Sequence, residues 1–240
     1  MTRIAVVQHE QDCPPHLVGT WLADAGATVT VGHPYAGDAL PDPASYDGLV
    51  VLGGSMSAND DAEHPWLGPT KDRIREHAAD GVPVLGICLG HQLAAVALGG
   101  TVAKNPRGQQ FGLLEVGWQP EAHVDALMAP VATPRRGVQW NDDIVTALPP
   151  NAVVLARAST GEVQVARFAP TVWGVQLHPE VDEGILRPWA EHDREAHTAI
   201  GVDPDAVLAE IDAARAELDA AWRPLATRFA QLAAARSVDP

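Results

Sequence analysis

One cysteine of the chain stands in a setting that favours nucleophilic chemistry. The string Gly86-Ile87-Cys88-Leu89-Gly90 puts glycines two residues before and two after a thiol, where the apolar run 82–87 gives way to the helical spacing of 89–98. A nucleophile at a strand-to-helix junction needs a tight, strained turn. Flanking glycines remove the Cβ atoms that would strike the strand and the helix. The helix N-terminus adds unpaired N–H groups and the positive end of the macrodipole, both of which favour thiolate. The competing reading is an inert core cysteine beside a glycine-rich turn, and the spacing on both sides favours the reactive one. Cys13, before Pro14-Pro15 in a polar loop, has no helix terminus or basic neighbour to activate it and reads as a passive thiol. No CxxC pairing suggests zinc or dithiol chemistry. His91 lies on the same helix as Cys88 but points away from it, and reads as a packing residue. His64, His77, His123, His192 and His197 lack the paired spacing of a metal site and read as solvated. No metal or other cofactor is expected.

The elements that must position Cys88 follow an α/β rhythm. Apolar runs at 4–7, 27–31, 48–52 and 82–87 read as strands, and helical spacing appears at 17–25, 66–79 and 89–98. Uninterrupted runs such as Gly48-Leu49-Val50-Val51-Leu52 suit strands buried on both faces, so the pattern specifies a mostly parallel sheet flanked by helices. From Thr101 onward short runs broken by Pro, Gly and Asn suggest antiparallel additions to that sheet. Residues 164–168 and 172–177 read as a hairpin whose second strand leads into His178-Pro179-Glu180. The C-terminal part turns helical. Asp203-Pro204 reads as a cap and first-turn proline, and apolar residues from Leu208 to Leu232 recur at helical intervals, with a break expected near Pro224. That apolar stripe could cover the sheet or form a homodimer face. Trp66, Trp118, Trp140, Trp173, Trp189 and Trp222 are dispersed and suit core and interface packing.

Composition narrows the partners. The 240-residue chain carries 16 basic and 31 acidic residues, a formal net charge of −15. Nucleic acid and anionic membrane surfaces would be repelled. The acidic clusters Asp60-Asp61 and Glu121 to Asp125 read as solvated surface. No apolar run approaches the roughly 20 residues of a membrane span, and the N-terminus lacks a signal-peptide pattern, so a cytoplasmic location is expected.

The longer string Gly86-Ile87-Cys88-Leu89-Gly90-His91-Gln92 resembles the nucleophile signature of class I, triad-type glutamine amidotransferases. His178-Pro179-Glu180 is similar to that family's second signature, and Val50-Val51-Leu52-Gly53-Gly54-Ser55-Met56 looks like its strand and Gly-Gly turn. The resemblance covers about the first four-fifths of the chain and points to stand-alone relatives of the amidotransferase domain of GMP synthase. It implies a flavodoxin-like open sheet, with an amidotransferase domain at 1–190 and a helical extension at 191–240 packed on the same domain. It also implies that Cys88 attacks the side-chain amide of glutamine or another γ-glutamyl compound, with His178 as base and Glu180 orienting it. The backbone N–H groups of Gly54 and Leu89 would form the oxyanion hole, and Gly53 and Gln92 would contact substrate. Ammonia would pass to a separate synthase subunit. The family usually carries a histidine before a Gly-Asp pair in the cleft-bordering segment. Here Asn141 and Asp142 stand there, which leaves glutamine and γ-glutamyl peptides or amine conjugates both open as substrates. A non-catalytic regulatory relative is a third reading, disfavoured by the intact Cys88, His178 and Glu180. An α/β-hydrolase is disfavoured by order, because Glu180 follows His178 instead of preceding it.

Overall fold

Alternation along the first strands decides the layering. In the computed structural model, which describes residues 1–133 and 135–236, strand β1 (Arg3–Val7) sends Ile4 and Val6 into one apolar cluster and Ala5 and Val7 into another. Helix α1 (His16–Asp24) leads to β2 (Thr28–Gly32), and β3 (Gly48–Val51) repeats the split, with Val50 on one side and Leu49 and Val51 on the other. Successive side chains of a strand point to opposite faces, so a sheet whose strands are apolar throughout must be covered on both. Helices α2 (Leu67–Asp80) and α3 (Leu89–Ala97), which bracket β4 (Val84–Ile87), cover one face. Helix α1 and the C-terminal helices cover the other.

The second half adds β5 (Thr101–Lys104), β6 (Gln110–Glu115), β7 (Gly117–Trp118), β8 (Arg136–Asn141), β9 (Asp143–Ala147), β10 (Val153–Arg157), β11 (Val163–Ala169) and β12 (Val172–Val175). The main sheet has eight strands in the order β2-β1-β3-β4-β12-β11-β10-β7. Pairing is parallel from β2 to β12 and antiparallel from β12 to β7. The expected mostly parallel sheet with antiparallel additions is present, and the expected hairpin is β11–β12. Four of the later strands, however, do not extend it: β5 pairs with β9 and β6 with β8 as two separate two-stranded ribbons.

Helices α4 (Glu183–His192), α5 (Arg194–Ala199), α6 (Pro204–Ala213) and α7 (Arg215–Arg236) complete the chain. Asp203 caps α6 by accepting from the Asp205 amide, with Pro204 in the first turn, as the sequence predicts. The expected break near Pro224 is absent. The chain breaks at Ala214, between α6 and α7, and α7 runs through the proline. Tertiary packing outweighs the lost hydrogen bond: Trp222, Leu225, Phe229 and Ala233 are buried on the apolar cluster shared with α1 and β1. The C-terminal apolar stripe thus covers the sheet within the chain. The last four residues of the expected 191–240 extension lie outside the described residues. Among the described residues, no helix is long and apolar enough to cross a membrane.

Candidate active site

Four loops meet at the carboxyl ends of β1, β3, β4 and β12, where β2 and β3 lie on opposite sides of β1. Crevices of this kind are where open α/β sheets bind ligands. The β4–α3 junction carries Cys88, whose backbone adopts φ 50° and ψ −104°, a conformation that side chains with a Cβ rarely adopt. Its amide donates to the Val175 carbonyl (2.8 Å), which locks the turn to β12. The flanking glycines are sterically required. A Cβ on Gly86 would lie 2.3 Å from the Gly90 carbonyl oxygen, and one on Gly90 would lie 2.0 Å from that of Val51.

The chain beyond β12 brings His178 to Cys88 and Glu180 to His178. The His178 Nδ1 to Glu180 Oε1 distance is 2.7 Å, and both side chains are 2% exposed. Among the described residues, the other ring nitrogen, Nε2, is buried without a hydrogen-bond partner. Burial works against charge on this imidazole, but Cys88 and Glu180 outweigh it and hold the His178 pKa well above its ordinary value. Gly53 lies against the pair: a Cβ there would sit 3.1 Å from the His178 ring and 3.6 Å from the Cys88 Cβ. Among the described residues, neither the Gly54 nor the Leu89 amide has an acceptor within the chain. Gln92, on α3, donates through Nε2 to the Asp143 carbonyl (2.9 Å) and the Gln176 Oε1 (3.3 Å). Cys88, His178, Gly54 and Gln92 all line one cleft of about 900 Å³. Asn141 and Asp142 also line it, and Asn141 donates to the Asp143 carbonyl (3.1 Å).

Several contributors are not evident from motif spacing. Gln176 is fully buried and donates to the Cys88 Sγ at 3.5 Å. It lies just past the end of β12, two residues before His178 and outside the motif that the sequence marks. Trp189, on α4, sets its ring edge-on to His178 with centroids 5.0 Å apart, and it lines the cleft with Trp140. These two tryptophans thus form a wall of the site as well as packing. Glu10, in the loop after β1, accepts from both the amide and the hydroxyl of Ser55.

Other expectations meet mixed outcomes. His91 is buried against Phe168, on a helix position turned away from the thiol, and burial pushes its pKa down to about 4. Cys13 is buried, and burial together with Glu10 pushes its thiol pKa up, in keeping with a passive role. His77 and His197 are not solvated. His77 is 2% exposed and pairs with the Tyr46 hydroxyl (2.7 Å), while His197 stacks on Phe111 and bonds Gln109 (2.7 Å). Each lies on the inner side of an amphipathic helix, which their polar sequence neighbours conceal. Asp125 is likewise buried instead of surface-exposed, because it accepts from the Trp173 indole and the Arg167 guanidinium. Among the described residues, no group of three His, Cys, Asp or Glu side chains is arranged to hold a metal ion.

Comparison with known proteins places this geometry in context. The model of the class-I glutamine amidotransferase family matches residues 18–188. A glutamine amidotransferase-like protein of Salmonella typhimurium is 29% identical over 80% of this chain and 82% of its own length. The glutamine-hydrolyzing GMP synthase subunit of Pyrococcus abyssi is 37% identical over 60% of this chain and 74% of its own. Gamma-glutamyl peptidase 4 of Arabidopsis thaliana is 33% identical over 60% of this chain and 58% of its own. In fold, the chain superposes on a crystal structure of a glutamine amidotransferase from Thermotoga maritima with a TM-score of 0.85 at 23% identity, covering 96% of this chain and 98% of that one.

Proposed function

The chain belongs to the class-I glutamine amidotransferase family, and from that premise we propose that it hydrolyses the side-chain amide of glutamine through a thioester on Cys88. The observation that carries this reading is the buried relay in which His178, beside the Cys88 thiol, meets Glu180 at 2.7 Å. His178, whose raised pKa suits it to hold the proton taken from the thiol before sulfur attacks the amide carbon, delivers that proton to the nitrogen as the C–N bond breaks and ammonia leaves. Water attacks the thioester with the same histidine as base and releases glutamate. Glu180 orients the imidazole and stabilises its charged form. The unengaged amides of Gly54 and Leu89 receive the oxyanion. Gly53, which lies against the pair, and Gln92, whose Oε1 has no partner among the described residues, contact the amino-acid end of the substrate. Likeness to the glutamine-hydrolyzing subunit of a GMP synthase supports transfer of the ammonia to a separate synthase polypeptide. No cofactor enters this reaction, and the net charge of −15 disfavours nucleic-acid and anionic-membrane partners; a cytoplasmic location belongs to the same proposal, whereas the apolar stripe that could have formed a homodimer face is packed on the sheet.

A second reading, hydrolysis of γ-glutamyl peptides or amine conjugates, is favoured by the likeness to a gamma-glutamyl peptidase and by a cleft of about 900 Å³ lined by Met56, Trp140 and Trp189 as well as Cys88. Glutamate and ammonia release by the purified chain and by Cys88→Ala decides between them, with a γ-glutamyl dipeptide assayed in parallel. Release from glutamine that disappears in the variant supports the glutaminase, whereas cleavage of the dipeptide alone supports the conjugate hydrolase. Activity retained by Cys88→Ala would overturn both.

A further inference from the structure

The Gly53-Gly54-Ser55 turn carries no secondary structure of its own, and neither glycine amide has a backbone acceptor among the described residues. Something outside the turn must hold it. The Glu10 carboxylate meets Ser55 with both oxygens: Oε1 accepts from the Ser55 amide at 2.8 Å and Oε2 from the Ser55 hydroxyl at 2.7 Å. Glu10 is held in turn, since Gln8 Nε2 donates to its carbonyl at 2.8 Å and the buried Cys13 thiol donates to Oε1 at 3.2 Å. The preceding residue closes the back of the turn, because a Cβ on Gly54 would lie 3.2 Å from that of His9. Hydrogen bonds to a charged acceptor are shorter and about twice as strong as neutral ones, and a two-oxygen grip on one residue fixes orientation as well as distance.

We propose that Glu10 is a positioning residue: its bidentate grip on Ser55 holds the Gly54 N–H in the orientation that receives the oxyanion. This rests on the reading of Cys88 as nucleophile and Gly54 as donor. Donor placement is a transition-state effect, because the charge on oxygen develops only as sulfur attacks. Loss of Glu10 should therefore lower kcat and leave KM and the intrinsic reactivity of the thiol alone.

The test compares wild type, Glu10→Ala, Glu10→Gln and Glu10→Asp, with turnover of γ-glutamyl p-nitroanilide and of glutamine alongside alkylation of Cys88 by iodoacetamide, a displacement that forms no oxyanion. Glu10→Ala is expected to lose roughly a hundredfold in kcat, the scale of one misplaced oxyanion donor, with KM within about twofold and alkylation within about twofold. Glu10→Gln, whose amide can still accept from the Ser55 N–H and donate to its hydroxyl, should restore most of that loss. If Glu10→Ala does not fold, Glu10→Asp, which shortens the grip by one methylene, is read by the same criteria. A kcat within about threefold of wild type overturns the proposal, as does an alkylation rate that falls in step with kcat. Wild type that is alkylated at Cys88 yet turns over neither substrate overturns the underlying functional reading instead.

Discussion

Cys88 is held at φ 50° and ψ −104°, a backbone state that costs on the order of 1–3 kcal/mol and persists only where the surroundings over-determine it. Here they do: its amide is fixed to Val175, and Gln176 donates to its sulfur. His178 is over-determined in the same way, between Glu180 at 2.7 Å and the edge-on ring of Trp189. Glu180→Gln keeps the shape of this arrangement and removes its charge. The isolated amide stabilises an imidazolium poorly, so kcat should fall by ~10²–10⁴ with the fold retained. Steady-state kinetics on glutamine and on a γ-glutamyl dipeptide check this, and a loss below threefold on whichever is the substrate would remove Glu180 from the relay.

At the scale of elements, the junction of β4, β3 and α3 tolerates no side chain where the glycines stand. Gly90→Ala would drive a Cβ to 2.0 Å from the Val51 carbonyl oxygen. Backbone on both sides leaves nothing that can yield, so a loss of at least ~3 kcal/mol is expected. Gly161→Ala, at φ 102° with open space around it, should lose only ~1–2 kcal/mol through its left-handed backbone. Urea denaturation of the two variants measures the contrast, and similar losses would contradict it. This junction was legible in the sequence because its constraint is local: spacing around Cys88 encodes the turn, and apolar runs encode the buried strands. What was not legible depends on distant partners. Pro224 stays inside α7 because the helix is clamped onto β1 and α1, and ribbons β5–β9 and β6–β8 leave the main sheet through pairings that no short window contains. Trp140 reaches the cleft from β8 beside Asn141, in the segment that the resemblance sets at the cleft border, whereas Trp189 reaches it from α4 with no neighbour in sequence that signals it. Glu10 likewise meets Ser55 across 45 residues.

Across the whole molecule, His9, His77 and His91 are buried, and burial lowers their pKa values to about 3, about 4 and about 4. Each folded value lies below the ordinary 6.5, so between the two the unfolded chain takes up protons that the folded chain refuses. Stability should therefore be intact above about pH 6.5 and fall as pH drops toward 4, by up to ~1.4 kcal/mol per pH unit for each histidine. Unfolding free energies at pH 7 and pH 5 should differ by at least ~2 kcal/mol, and a flat profile would show that these rings take up protons while folded. The sheet order has a further consequence, for the history of each molecule after synthesis. Strand β12 pairs in parallel with β4 across roughly 90 residues, and only that pairing brings His178 to Cys88. Contacts so far apart in sequence form late, because a long loop must close before they are rewarded. On the proposed reading of His178 as base, a nascent or partly unfolded chain would carry its thiol without that base, and competence to break an amide bond would arrive only when the last strand slots into the middle of the sheet.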